Sequence, residues 1–231
     1  MADSFNVAEG KDRGDAERWA AGDRFAAVIL GPPGSGKTTV ADRLDLRPNV
    51  RVIVTGRLLR DEASRTDERG EAIRGFLKRG ELVPTETVTN VLIRHLPEVE
   101  QHSLVFDGYP RSPDQLDYFL RIITKLGFHL AAVVVLDVSR ETADERLSGR
   151  HRKDDRDRTI EERRDVYTRE TLPLIDELRA RFAERVHTVS AEPHIDEVVV
   201  NVVRVLEGSG MTVEGERRER TGKGREDADT Q

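Results

Sequence analysis

Residues 31 to 38 read Gly-Pro-Pro-Gly-Ser-Gly-Lys-Thr, placing Gly31, Gly36, Lys37 and Thr38 at the spacing G-x-x-x-x-G-K-[ST]. Each residue type has a physical task there. Glycines let backbone N–H groups turn inward around a phosphate, and the lysine reaches the outer oxygens. The helix that follows aims its positive end at the same anion. An apolar run, "FAAVIL" at 25–30, precedes the loop, and a helical pattern from Val40 to Leu44 follows it. Strand, glycine loop and helix in that order make a phosphate-binding loop, with Gly34, Ser35, Gly36, Lys37, Thr38 and Thr39 as its candidate contacts.

The stretch "LVFDGYPRSPDQ", 104–115, carries the next candidates. Asp107 ends an apolar strand, where folds with such a loop hold magnesium through water. Gly108 and Pro110 bend the chain and deliver Arg111 toward the same crevice.

Positioning these groups requires a sheet. Runs at 25–30, 50–54, 103–106, 131–138 and, more weakly, 185–189 alternate with helical patterns, and apolar residues on both faces suit parallel strands covered by helices. Leu116, Phe119, Leu120 and Ile123 share one helical face, as do Ile195, Val198, Val199, Val202 and Leu206. Ser112 before Pro113, and Thr159 with Glu162, read as helix starts. The expected fold is α/β, a P-loop doubly wound parallel five-stranded sheet. Residues 57–96 read as helical with breaks near Gly70, Gly80 and Pro84, which is too long for one crossover and implies a small helical insertion. "SGRHRKDDRDR", 148–158, is too charged to pack.

The 231-residue chain suits one α/β domain with a small insertion. A net charge of -6 argues against a general nucleic-acid coat, so the basic residues must act locally. The absence of cysteine removes disulfides, thiolate zinc sites and cysteine nucleophiles. No signal-peptide core or membrane-length apolar run is present, and the expected location is the cytoplasm. The expected divisions are a mobile N-terminal extension at 1–23, a P-loop domain at 24–207 and a charged disordered tail at 208–231. Within the domain, the helical insertion falls at about 54–84 and the charged stretch at about 149–158.

"GPPGSGKTT", "TGRLLR", "GELV", "DGYPRS" with Gln115, and "RKDD…R…Y…T…PLI" follow one another as in the adenylate kinase family of nucleoside monophosphate kinases, which the chain resembles from about Ala26 to Val205. The resemblance implies magnesium-dependent transfer of the γ-phosphoryl of ATP to a nucleoside monophosphate. It implies a monomer with no nucleic acid, membrane or zinc. It makes the loop residues, with Arg146 and Arg150, the ATP contacts. The insertion at about 54–84 becomes acceptor-binding, the stretch at about 149–158 a short lid, and Thr55, Arg60, Leu82, Val83, Gly108, Arg111 and Gln115 acceptor contacts. Arg152 and Arg163 would descend on the transferring group from the lid and also meet the acceptor. Lys37, Arg111, Arg150, Arg152 and Arg163 are then the catalytic set, and Asp107 and Thr38 the metal contacts. An arginine-rich, histidine-poor site fits this chemistry. The acceptor is already an ionised phosphate oxygen and needs no general base, whereas crowded negative charge needs guanidinium groups. His151 and other basic residues near these motifs, such as Arg156, Arg158 and Arg164, read as solvated surface.

Three positions depart from the family pattern. Thr38 stands where a second glycine is usual, Arg57 where an aspartate is, and Ser190-Ala191 where a glycine turn lies near the donor base. Thr55 favours adenine as acceptor base. The alternatives are a pyrimidine or broad-specificity monophosphate kinase and a nucleotide-binding regulator of the same fold with little turnover.

Overall fold

The computed structural model describes residues 24–96, 103–148 and 157–213, with backbone only for 157–159. The N-terminal extension, most of the lid (including Arg150, His151, Arg152 and Arg156) and the chain beyond Val213 lie outside the described residues. Five parallel strands, β1 (Arg24–Leu30), β2 (Val50–Val54), β3 (Ser103–Asp107), β4 (Phe128–Asp137) and β5 (Val186–Ser190), form one sheet in the order β2-β3-β1-β4-β5. Among the described residues, no helix is long and apolar enough to cross a membrane.

The double-sided apolar pattern has a direct structural cause. Along β1, Ala26, Val28 and Leu30 face one core, and Phe25, Ala27 and Ile29 face the other. The first core is covered by α2 (Thr55–Ala63), α3 (Glu68–Arg79), α4 (Thr85–His95), α5 (Pro113–Lys125) and α8 (Leu172–Arg181). The second is covered by α1 (Lys37–Leu44) and α9 (Ile195–Gly208). Two more helices, α6 (Arg140–Ser148) and α7 (Asp157–Val166), stand above the carboxyl ends of the strands, and α7 continues into α8 through a π-helical turn, Tyr167–Thr171. In an open α/β sheet that end is where ligands bind, because strands on either side of β1 send their connections to opposite faces.

Several expectations need adjusting. Gly80 ends α3 in a left-handed conformation and Pro84 precedes α4, but Gly70 is no break: it is buried inside α3. The first break falls at 64–67, where Asp67 caps α3 by accepting from the Gly70 N–H at 3.0 Å. A Cβ on Gly70 would stand 2.4 Å from the Arg65 carbonyl oxygen, so glycine is there for close approach of two backbones. Within the described residues α7 runs from Asp157, which puts Thr159 inside it and not at its cap. Ser112 does precede Pro113 at the start of α5, without a side-chain cap bond. The charged tail also begins later than its composition implies. After Gly210 reverses the chain, Met211 and Val213 are buried against the α1–α9 core, so the packed body reaches at least Val213.

Candidate active site

A crevice opens above the ends of β1 and β3, between the glycine loop, the α2–α3 insertion and the α7–α8 junction. Strand pairing brings its two halves together: Ile29 lies opposite Asp107, so the chain leaving β1 as the glycine loop starts beside the chain leaving β3.

Gly36 caps α1 at φ 86°, a conformation suited to glycine, so the N-terminus of α1 opens at the loop. Gly34 is held differently. A Cβ there would meet the Ala143 carbonyl oxygen at 2.6 Å, so the loop rests directly on the backbone of α6. The Lys37 ammonium spans the loop, donating to the carbonyls of Gly31 at 2.6 Å and Pro32 at 2.8 Å and to Ser35 Oγ at 3.2 Å. Ser35 is buried, and Thr39 faces outward. Thr38 Oγ1 donates to Asp107 Oδ2 at 3.0 Å. No cluster of three metal-ligating His, Asp or Glu side chains occurs among the described residues. An oxygen pair of one carboxylate and one hydroxyl nevertheless fits magnesium, which takes few protein ligands and fills its remaining positions with water and substrate phosphate.

Arg111 is fixed through its backbone at both ends. Its N–H donates to Gln115 Oε1 at 2.8 Å, and its carbonyl accepts from Thr171 Oγ1 at 2.9 Å. Its Nε donates to the Gly108 carbonyl at 3.0 Å. A Cβ on Gly108, at φ 76°, would come within 2.9 Å of the guanidinium. The Tyr109–Pro110 peptide between them is cis. Tyr109 is buried and shares a 3.0 Å hydrogen bond with Thr89 of α4, which ties this loop to the core. The Arg111 side chain reaches the crevice, yet protein encloses it on its other sides. That enclosure lowers its pKa, the charges of Arg163 and Arg60 push the same way, and Asp107 opposes them. Three guanidinium groups therefore share one space.

Thr55, Arg60, Leu82, Val83, Gly108, Gln115 and Arg163 all line the crevice with the loop. Thr55 starts α2 just beyond β2 and is almost fully buried, and its hydroxyl has no hydrogen-bond partner among the described residues. A buried hydroxyl in that state costs about 1–3 kcal/mol, which a bound group could recover. Arg146 lies on α6 outside this crevice, with Nη2 3.5 Å from the Glu192 carbonyl oxygen. Arg150 and Arg152 are outside the described residues.

Some of the site was not anticipated. Tyr167 and Thr171 line the crevice from the π-helical turn; their four-residue spacing was visible in sequence but indicated no role. Arg164 is no solvated side chain: only 17% exposed, it is held closely by Asp144 and at 2.6 Å by Glu161. Arg57 turns away from the crevice lining. Its Nη2 donates to Asp42 Oδ1 at 2.8 Å, and that bond is the main cause of its raised pKa.

Comparison with known proteins agrees with this geometry. Residues 29–182 match a family model described as adenylate kinase. An adenylate kinase from Mycobacterium sp. (strain MCS) is 36% identical over 181 residues, covering 78% of this chain and 97% of that protein. One from Corynebacterium urealyticum is 35% identical over 172 residues, covering 74% and 93%. One from Thermus thermophilus is 34% identical over 160 residues, covering 68% and 84%.

Proposed function

The chain belongs to the adenylate kinase family, and we propose from that premise how its crevice moves the γ-phosphoryl group of ATP to AMP, giving two ADP. The observation that carries this reading is the convergence of Arg60, Arg111 and Arg163 on the crevice that the glycine loop also lines. Two nucleotides meeting end to end bring several negative charges into one place. Guanidinium groups stay ionised there and grip phosphate oxygens in pairs.

In the proposed arrangement, backbone N–H groups from Gly34 to Thr39 and the Lys37 ammonium hold the ATP phosphates. Arg146 and Arg150 meet the donor side. Thr55, Leu82, Val83 and Gln115 hold the acceptor base, with Gly108 beside them, and Arg60 and Arg111 hold its phosphate. The unsatisfied Thr55 hydroxyl supports an acceptor base at that wall. A phosphate oxygen of AMP attacks the γ-phosphorus, and the bond from that phosphorus to the β,γ-bridging oxygen breaks. The negative charge then resides on the departing ADP, and no proton needs to move. Arg152 and Arg163 neutralise charge on the transferring group. Thr38 and Asp107 would hold magnesium, which would supply charge neutralisation to the phosphate groups. The protein works as a cytoplasmic monomer.

A coupled assay of ADP formation with ATP and either AMP, UMP or CMP tests the reading. The expected result is the highest kcat/KM with AMP. A better pyrimidine acceptor would overturn the adenylate assignment, and binding of ATP without turnover of any acceptor would overturn the enzyme.

A further inference from the structure

The turn after β5 is bonded to the first turn of α6 through one side chain. Glu192 accepts from the Ser139 N–H through Oε1 and from Thr142 Oγ1 through Oε2 at 2.7 Å. Ser139 Oγ donates to Thr142 Oγ1 at 3.0 Å and accepts from the Thr142 N–H at 3.2 Å, so the helix start is a closed cluster. These bonds, led by that from the Ser139 N–H, hold the Glu192 carboxyl below its ordinary range. One residue earlier, buried Ala191 donates its N–H to the Asp137 carbonyl at 2.7 Å, anchoring the turn to the end of β4. A shift of the turn would break these bonds to the start of α6.

Helix α6 carries two things that the donor nucleotide needs. Ala143 is the seat against which Gly34 of the phosphate loop packs, and Arg146 stands one turn beyond Thr142. Arg146 also approaches the Glu192 carbonyl, so this one residue meets α6 at its beginning and again near its end.

We infer that Glu192 is a positioning residue for the donor nucleotide, strapping the turn after β5 to α6 and thereby setting the aim of Arg146 and the seat of the phosphate loop. The inference rests on the proposed donor role of Arg146. A helix free to rotate at its N-terminus would carry Arg146 and Ala143 through an arc, and sub-ångström misplacement of binding groups is costly.

Glu192→Ala should weaken ATP binding, measured by titration calorimetry without AMP, by roughly three- to tenfold, the scale of one ordinary solvent-exposed hydrogen bond. KM for ATP should rise in parallel, while KM for AMP and the melting temperature stay unchanged. Glu192→Gln, which keeps one acceptor oxygen, should restore much of the loss. Thr142→Val should add little to Glu192→Ala, since both remove the same bond. Unchanged ATP affinity in Glu192→Ala, or equal rises in both KM values, overturns the inference alone. A wild-type chain that fails to bind ATP overturns the donor assignment, and the inference with it.

Discussion

Thr38 Oγ1 donates to Asp107 Oδ2 at 3.0 Å, joining the first turn of α1 to the last residue of β3. If both oxygens serve magnesium, Thr38→Ala should raise the magnesium concentration for half-maximal turnover several-fold, about 1 kcal/mol. Thr38→Ser should stay close to wild type. A magnesium titration at fixed ATP reads both, and an unchanged midpoint in Thr38→Ala would mean that Asp107 acts without its neighbour.

Arg111 gives a test in which charge and geometry separate. Arg111→Lys keeps the cation but removes the planar fork, so kcat/KM for AMP should fall about 100-fold or more while ATP affinity holds within about twofold. Steady-state kinetics with each substrate varied in turn would show it. A loss confined to ATP would place Arg111 on the wrong nucleotide.

Two glycines of α3 should respond in opposite directions. Gly70→Ala drives a methyl group into the Arg65 backbone and should destabilise by about 1–3 kcal/mol. Gly75→Ala meets only the flexible end of Arg79 at 3.2 Å and should stabilise by about 0.5–1 kcal/mol. Denaturant titration of the two variants settles the contrast.

The buried residues after α9 predict where the chain can be cut. A chain ending at Val213 should keep its melting temperature. One ending at Ser209 removes Met211 and Val213 from the core and should lose about 3 kcal/mol, measured the same way.

Much of the framework could be read from residue order, for reasons visible in particular segments. "VRVIV" lies between Asn49 and Thr55, and β2 occupies it from Val50 to Val54. The glycine spacing located the loop, and the apolar run into Asp107 located the facing strand end. What escaped depends on contacts distant in sequence. The partner that buries Arg164 is Asp144, on another helix twenty residues away, and a local run of charge cannot reveal it. Gly70 resembles a helix breaker until the Arg65 carbonyl is seen beside it. Met211 and Val213 are two apolar residues in a polar tail, too few to show a pattern until the core receives them.

The π-helical turn at Tyr167–Thr171 also leaves no mark in composition. A π turn holds one residue more than an α turn, and one residue of an α-helix is about 100° of rotation. Helices α7 and α8 are thus one rod with a phase slip at its middle. Upstream of the slip, Arg163 and Val166 look into the crevice; downstream, Leu174, Ile175 and Leu178 look into the core. The slip also turns the Thr171 hydroxyl onto the Arg111 carbonyl. Removing one residue at the slip would re-index the whole upstream segment and swing Arg163 away from the crevice, while every side chain of the rod remained chemically intact.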